Sequence, residues 1–283
     1  METGKKNKTP WLSIITVTYN SSLVIEKMVS SIPHDERKNV QVIIVDNNST
    51  DDSASCGKKI ADKLIKLNKN MGFGTACNLG AKRAKTEYLF FVNPDCLFEK
   101  HTIKELKNAI KKHPTASAFN PRILHNGRRY FRKHSKLLDK NQHWKGKLPT
   151  KDEEIPVLSG SSILCSRKLF SDLGGFDENI FLYYEDDDLS LRLKEHGPLI
   201  SIYNAIIHHS FGHSSGRSPE TAWFKGYHMG KSWCYATSKH NIVFHPFRQR
   251  LKLYLSLLLP HILLNKRRRS KYIGLIKGLK EAL

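Results

Sequence analysis

The chain has 283 residues, 39% of them hydrophobic, with four Trp, ten Tyr and thirteen Phe. This composition excludes an intrinsically disordered protein and is sufficient for a full hydrophobic core. The formal net charge of +21 indicates an anionic partner, such as a phosphate-bearing substrate, an anionic lipid surface or a nucleic acid.

The first hundred residues alternate between strand-like apolar runs and helix-like segments. The predicted strands are residues 11–18, 40–45, 63–67 and 88–92, and the predicted helices are 23–31, 72–85 and 99–112. This alternation predicts a mostly parallel, Rossmann-like sheet flanked by helices, an α/β fold. In such sheets ligands bind beyond the carboxyl ends of the strands. We therefore expect the polar runs 46–51 and 93–95, which follow two of the strands, to line a site.

The pattern changes after Ala116. Residues 123–155 are basic, polar and irregular, which predicts an insertion rather than a core element. Strand-like runs return at 157–166 and 199–207, and between them a helix-like segment begins with four consecutive carboxylates, Glu185, Asp186, Asp187 and Asp188. Helix starts favour acidic residues. Four adjacent like charges repel one another, however, and this predicts a functional site with a nearby cation or shifted pKa values.

Six short motifs occur along the chain in a fixed order. They are V-T-Y-N (17–20), V-D-N-N-S-T-D (45–51), N-x-G-F-G-x-A-x-N-x-G (70–80), N-P-D (93–95), G-G-F-D-E (174–178) and Y-E-D-D-D-L (184–189). Together they resemble family 2 glycosyltransferases, and within them the rhamnosyltransferase-like branch that builds bacterial surface polysaccharides. The match covers about residues 11–215. The resemblance implies a GT-A fold that binds a nucleoside-diphosphate sugar, and inversion at the anomeric carbon.

The first four motifs supply the donor-binding residues that the resemblance implies. These are Thr18, Asn20, Asp46, Asn48, Asn70, Gly72, Phe73, Asn78 and Asn93. The family uses the Asp that matches Asp46 to accept a hydrogen bond from an imide N–H, as uracil or thymine offers, but an Asp here can also cap the next helix. Gly72 and Gly74 let backbone approach the nucleotide closely. Cys77 stands where a third glycine would complete a dinucleotide-binding motif.

Asp95 follows an apolar strand and Pro94, a position from which a carboxylate can bind Mg²⁺ or Mn²⁺ bridging the diphosphate. Many relatives have D-x-D here, whereas this chain has Asn93 in place of the first Asp, so reliance on a later ligand should be greater. His209 begins an H-x-x-G-x-S pattern like the family's late histidine and is the second predicted metal ligand. His208 and His213 are the competing candidates.

The family's acidic motif places the general base at its second carboxylate, which here is Asp186. An inverting transfer requires a base, because the acceptor hydroxyl must lose its proton as it attacks. Glu185 and Asp188 are predicted to orient the acceptor or to cap the helix. Arg192, one turn along, is a predicted partner for one of them.

The predicted domain organisation is a catalytic domain at 1–215, with a nucleotide-binding half at about 11–115 and an acceptor half at about 116–215, and a basic helical extension at 216–283. The apolar run 251–264 is too short to span a membrane and contains Pro260. The helix after it shares one apolar face, formed by Tyr272, Ile273, Leu275, Ile276, Leu279 and Leu283. This pattern predicts an anchor on an anionic membrane surface. The alternative is that 251–264 packs on the catalytic domain.

The predicted function is an inverting, metal-dependent transfer of a sugar to a saccharide acceptor that is lipid-linked. L-Rhamnose from dTDP-rhamnose is the preferred donor, on the resemblance alone, and a UDP-hexose or UDP-N-acetylhexosamine is the alternative. A nucleic-acid-binding protein is a distant alternative, but no RNP sequence, zinc ligand set or helix-turn-helix pattern occurs, so no nucleic acid partner is expected.

The expected location is the cytoplasm, on the cytoplasmic face of the plasma membrane. The five cysteines are odd in number and form no C-x-x-C pair, which favours a reducing compartment. The N-terminus has no apolar stretch of the kind that a signal peptide contains.

Overall fold

The computed structural model describes residues 9–210, 216 and 218–282. The strands are β1 Leu12–Thr18, β2 Val40–Asp46, β3 Lys63–Lys66, β4 Tyr88–Val92, β5 Cys96–Phe98, β6 Ala118–His125, β7 Arg128–Tyr130, β8 Glu153–Glu154, β9 Ser162–Ser166 and β10 Leu199–His209. The α-helices are α1 Ser22–Ser30, α2 Ser53–Ile60, α3 Phe73–Ala81, α4 Thr102–Lys112, α5 Arg167–Asp172, α6 Glu185–Lys194, α7 Pro219–Lys239, α8 Pro246–Leu257, α9 Pro260–Leu263 and α10 Lys266–Glu281.

The strands form one mixed sheet in the order β3-β2-β1-β4-β9-β6-β10-β5, with β7 beside β6 and β8 beside β10. The first four strands in this order are parallel to one another, as strand–helix alternation predicts. In the second half only β6 and β10 pair in parallel, and the other pairs are antiparallel. Antiparallel neighbours need no crossover helix, and the regular alternation of helices indeed ends in this half. The α/β fold class is confirmed.

Successive side chains of a strand point to opposite faces of the sheet. Each face is buried in a hydrophobic core of its own. In β1, Leu12 and Ile14 belong to a core with α1 and α4. Ile15 and Val17 belong to a second core on the other face, with α3 and α6. A nearly continuous apolar run such as β1 is typical of a strand covered on both faces.

The structure corrects several predicted elements. The helix predicted at 72–85 ends at Ala81, and the one predicted at 99–112 begins at Thr102. The strand predicted at 157–166 is β9 only from Ser162, and residues before it form a buried loop. The segment 123–155 begins inside β6, which escaped prediction because Pro121 interrupts its pattern. Leu137, Leu138 and Ile155 are buried, so this segment contributes to the core as well as to the surface.

The C-terminal helices pack on one another, and Ala236 of α7 also packs with Leu137 and Ile180 from the preceding part of the chain. Helices α7 and α10 approach so closely that a Cβ on Gly226 would meet the Leu275 backbone nitrogen at 3.0 Å. Ile276 and Leu279, on the predicted apolar face of α10, are buried in a cluster with Trp233 of α7 and Leu253 of α8. This part of the face is therefore covered by protein.

Candidate active site

The two polar runs that were expected to line a site, 46–51 after β2 and 93–95 after β4, meet at one edge of the sheet beside the end of β1. Thr18 and Asp46 are register partners at the ends of β1 and β2. Because β9 runs antiparallel to β4, the loop before β9 lies beside the end of β4. The backbone N–H of Asn93 donates a hydrogen bond to the Ser161 carbonyl oxygen at 3.0 Å. The pairing of Cys96 with His209 brings the end of β10 to the same place.

A cavity of about 430 Å³ lies at this edge, within the size range of small-molecule sites. Of the predicted site residues, the following line it: Asn70, Gly72, Phe73, Asn93, Glu185, Asp186 and His209. Helix α7 adds Thr221, Phe224 and Lys225 to the wall. The C-terminal extension thus forms part of the site, a role that the sequence did not indicate.

Three other predicted donor residues, Thr18, Asn20 and Asp46, do not line this cavity but hold the loops beside it. Asp46 is fully buried, and its carboxylate accepts hydrogen bonds from the Thr18 hydroxyl at 3.1 Å and the Ser49 amide at 3.2 Å. The side-chain oxygen of Asn20 accepts from the Thr50 amide at 2.8 Å. These bonds hold the loop after β2, and they do not cap the next helix, because α2 begins at Ser53 with Asp52 at its N-cap position.

Asn78 and Asn48 also lie outside the cavity lining. The amide group of Asn78 accepts from the Phe176 backbone N–H and donates to the Phe176 carbonyl, both at 2.9 Å. It thereby fixes the G-G-F-D-E loop to α3. Asn48 is exposed and has a left-handed backbone with φ of 65°, which Asn tolerates better than most residues.

Asn47 is a site residue that the sequence analysis missed. Its side-chain nitrogen donates to Asn70 Oδ1 at 2.9 Å and to the Gly72 carbonyl at 3.2 Å, and its Oδ1 accepts from the Met71 amide at 2.8 Å. It is buried and lines the cavity. Its place between Asp46 and Asn48 in the V-D-N-N motif was the available signal.

The turn before α3 brings the glycine motif against the aromatic run. Gly72 has φ of +84°, and a Cβ there would overlap the Phe181 carbonyl oxygen. The Phe73 amide donates to that same oxygen at 3.0 Å. The positive φ and the overlap of a Cβ with the Phe181 carbonyl oxygen each require glycine at position 72.

Asp95 and His209 form a buried pair beside the cavity. Asp95 Oδ1 lies 3.1 Å from His209 Nε2, and the Asn93 side-chain nitrogen lies 3.4 Å from the same ring atom. The carboxylate of Asp95 and the side-chain oxygen of Asn93 are of the ligand types that suit Mg²⁺ or Mn²⁺. Cys96 Sγ is within 4.8 Å of both partners, but a thiol suits softer ions than Mg²⁺ or Mn²⁺.

Strand alternation separates the competing histidines. His208 points away from Asp95, and its Nε2 lies 2.7 Å from Glu99 Oε1. His213 lies outside the described residues. Of the two candidate histidines that the structure describes, His208 and His209, only His209 faces Asp95.

Helix α6 begins in a strained backbone at the cavity wall. Tyr183 and Tyr184 have φ of 66° and 68°, which is costly for residues other than glycine and tends to occur at functional sites. Just after them, Asp186 Oδ2 accepts hydrogen bonds from Arg132 Nη1 at 2.5 Å and from the Gly160 amide at 2.8 Å. A Cβ on Gly160 would lie 2.9 Å from Asp186 Cβ, so the loop can approach only because residue 160 is glycine.

The four carboxylates have different surroundings, and cations relieve their predicted repulsion. Glu185 faces the cavity, and burial, followed by the charge of Asp186, raises its pKa. Arg132 bridges Asp186 and Asp187, with its Nη2 at 2.5 Å from Asp187 Oδ2, and Ser135 also donates to Asp187. Arg132 comes from the segment 123–155, which was predicted to be an irregular insertion, and no sequence pattern indicates this pairing.

Asp188 ties α6 to α7. The predicted partnership with Arg192 is present, at 2.6 Å between Nη2 and Oδ2. Burial alone would raise the pKa of Asp188, but hydrogen bonds from His240 and Lys239 and the charge of Arg192 hold it at about 2. Asp188 is fully buried and does not line the cavity of about 430 Å³, and its contacts are those of a positioning residue.

The sheet topology, the cavity at its carboxyl edge and the acidic helix at the cavity wall define a glycosyltransferase with a GT-A fold. The family model described as "Glycosyl transferase family 2" matches residues 13–174. The chain belongs to this family and is a transferase.

Relatives and solved structures agree with this assignment. An N-acetylglucosaminyl-diphospho-decaprenol L-rhamnosyltransferase of Mycobacterium tuberculosis is 30% identical over 242 residues, covering 74% of this chain and 78% of that protein. A dTDP-rhamnosyl transferase of Shigella flexneri is 26% identical over 214 residues, covering 71% and 69%. The mannosyltransferase of Pyrobaculum calidifontis, solved with GDP-Man and Mn²⁺, has a TM-score of 0.58 at 16% identity, with 96% of this chain and 88% of that chain covered.

Proposed function

We propose that the protein transfers L-rhamnose from dTDP-rhamnose, with inversion, to a lipid-linked saccharide in the synthesis of a cell-surface polysaccharide. The main support for the proposal is that Asp186 lines the cavity of about 430 Å³ at the carboxyl ends of the strands, which we call the donor cavity, and that His209, the partner of Asp95, lines the same cavity. The rhamnosyl donor is supported by the two rhamnosyltransferases among the relatives. The lipid-linked acceptor is supported by the mycobacterial relative, an N-acetylglucosaminyl-diphospho-decaprenol L-rhamnosyltransferase.

In the proposed mechanism Asp186 accepts the proton of the attacking hydroxyl. Arg132 and the Gly160 amide fix the orientation of its carboxylate. The raised pKa of Glu185 lets its carboxyl group stay protonated and donate a hydrogen bond into the cavity. Asp95 and His209 would hold Mg²⁺ or Mn²⁺, with the side-chain amide oxygen of Asn93 as a neutral ligand. The cation would stabilise the charge on the departing diphosphate.

A panel of nucleotide sugars tests the donor. With a GlcNAc-diphospho-lipid as acceptor, we expect dTDP-L-rhamnose to give a kcat/KM at least about tenfold above those of UDP-glucose, UDP-galactose and UDP-GlcNAc, because unpaired polar groups penalise the wrong sugar. Product formation is measured by mass spectrometry. Faster transfer from a UDP-sugar would refute the rhamnosyl assignment and favour the alternative donor.

We also propose that the protein binds an anionic membrane surface through α8 and α9, a region we call the α8–α9 surface. Its apolar side chains are exposed although they are large: Phe247, Leu251, Tyr254, Leu255, Leu258, Leu259, Leu263 and Leu264. Arg248, Lys252 and the basic run 266–269 flank them. Such a mixture of apolar and basic side chains suits the interface of an anionic bilayer. Among the described residues, no helix has both the length and the apolar character needed to cross a membrane.

Vesicle co-sedimentation tests the α8–α9 surface. We expect the double variant Leu258→Ser and Leu264→Ser to reduce binding to phosphatidylglycerol-rich vesicles at least about tenfold, because each leucine contributes roughly 1.5–3 kcal/mol when buried in an apolar phase. These side chains are 72% and 83% exposed, so the fold should be unaffected. The matched control is Leu23→Ser on α1, which is 87% exposed and should bind as the unmodified protein does. Equal binding of all three proteins would exclude the α8–α9 surface.

A further inference from the structure

A second cavity, of about 780 Å³, is also lined by Asp186. Asp186 and Tyr183 line both this cavity and the donor cavity. The proposed base therefore borders both cavities. A group-transfer enzyme needs this arrangement, because the acceptor must reach the base from a side that the donor does not occupy.

The second cavity carries positive charge that the protein itself does not neutralise. Arg132 is engaged by Asp186 and Asp187. Lys136 is not paired in this way: its ammonium lies 3.3 Å from the centroid of the Trp233 ring, and no carboxylate in the described part of the chain forms an ion pair with it. Burial and the charge of Lys271 lower the pKa of Lys136, as expected where cations lack a counter-anion. Lys140 lines the same cavity.

Part of the lining of the second cavity is apolar and adjoins the α8–α9 surface. Ile242, Val243 and Phe244 line it, and Val243 is 85% exposed. Phe247, 69% exposed, follows at the start of α8. The proposed base, the two lysines and these apolar residues thus all line the second cavity.

We propose that the second cavity is the acceptor site and that Lys136, with Lys140, binds the diphosphate of a saccharide–diphosphate–lipid. A lysine ammonium binds phosphate as a point charge. The sugar would then lie between Asp186 and the lysines, and the lipid would leave past Val243 toward the bilayer. This inference rests on the proposed function for its choice of substrate class.

Binding of farnesyl diphosphate by isothermal titration calorimetry tests the site without any transfer step. EDTA is present throughout, so that a metal-bridged diphosphate in the donor cavity does not contribute. We expect the full chain to bind farnesyl diphosphate at least about tenfold more tightly than farnesol, since each hydrogen bond to a charged group is worth a tenfold or larger factor. Lys136→Ala should lose about tenfold in affinity for the diphosphate, and Lys136→Arg, which retains a cation, should lose little.

The matched control is Lys104→Ala, an exposed lysine on α4 that lines neither cavity, and its affinity should be unchanged. Unchanged affinity in Lys136→Ala, or equal binding of farnesyl diphosphate and farnesol by the unmodified protein, would overturn the assignment. The same loss in Lys104→Ala would show a non-specific charge effect and would also overturn it. Because no donor sugar is present, the result is independent of whether rhamnose is transferred.

Discussion

Asp186→Asn is expected to lower kcat by about 10²–10⁴-fold while leaving nucleotide affinity unchanged, if Asp186 is the general base. The asparagine side chain has nearly the same shape as the aspartate side chain but cannot accept a proton from the attacking hydroxyl. Its carbonyl oxygen can still receive the hydrogen bonds that Arg132 and the Gly160 amide donate to Asp186 Oδ2. The substitution therefore separates proton transfer from the architecture of the site.

The fold should survive this substitution. Arg132 keeps its second carboxylate partner, Asp187 Oδ2 at 2.5 Å, so no buried cation is left without a counter-charge. The measurements are steady-state turnover, calorimetric titration with dTDP, and the melting temperature of both proteins.

The matched control is Glu185→Gln, at the neighbouring carboxylate that also lines the donor cavity. We expect a smaller fall in kcat, because Glu185 is proposed to act as a protonated hydrogen-bond donor and the Gln side chain retains an N–H donor. If Asp186→Asn keeps more than a tenth of the turnover, Asp186 is not the base. Glu185 would then be the next residue to test.

The sequence predicted the parts of the site that lie at the ends of regular elements. The apolar runs of β1, β2 and β4 are buried on both faces and leave few alternatives for their pairing. The polar residues after them were therefore assigned correctly to one edge of the sheet. The acidic start of α6 and the pairing of Asp188 with Arg192 follow from helix periodicity, which is also a local property.

Contacts between distant segments were the part that the sequence did not reveal. Arg132 and Asp186 are 54 positions apart, and residues 123–155 have no periodicity from which their folded path could be predicted. Helix α7 contributes to the donor cavity through Thr221 and Phe224, although its sequence reads as an ordinary helix. Asp46 and Asn78 were predicted to bind the donor, but their side chains hold loops. Membership of a motif does not show whether a side chain faces the ligand or supports the loop behind it.

The second large effect is expected at Asp95. Asp95→Ala should weaken dTDP or UDP binding by about 10²-fold in the presence of Mn²⁺, because a lost metal ligand costs at least as much as the 10–100-fold seen for supporting residues. In EDTA the variant and the unmodified protein should bind the nucleotide equally. Calorimetric titration under both conditions measures this without requiring turnover. Since Asp95 is 3% exposed, Asp95→Asn serves as a second variant that leaves no cavity and removes only the charge.

The two adjacent histidines provide a matched pair for the same experiment. His209→Ala should show a milder, roughly tenfold form of the metal-dependent defect, because its Nε2 lies 3.1 Å from Asp95 Oδ1. His208→Ala removes the same type of side chain from the opposite face of β10, where the ring contacts Glu99, and should bind nucleotide normally. Equal defects in both variants would indicate damage to β10 rather than loss of a ligand. If the unmodified protein binds the nucleotide equally well with Mn²⁺, with Mg²⁺ and with EDTA, the cation has no part in donor binding, and Asp95 and His209 must act on the diphosphate in another way.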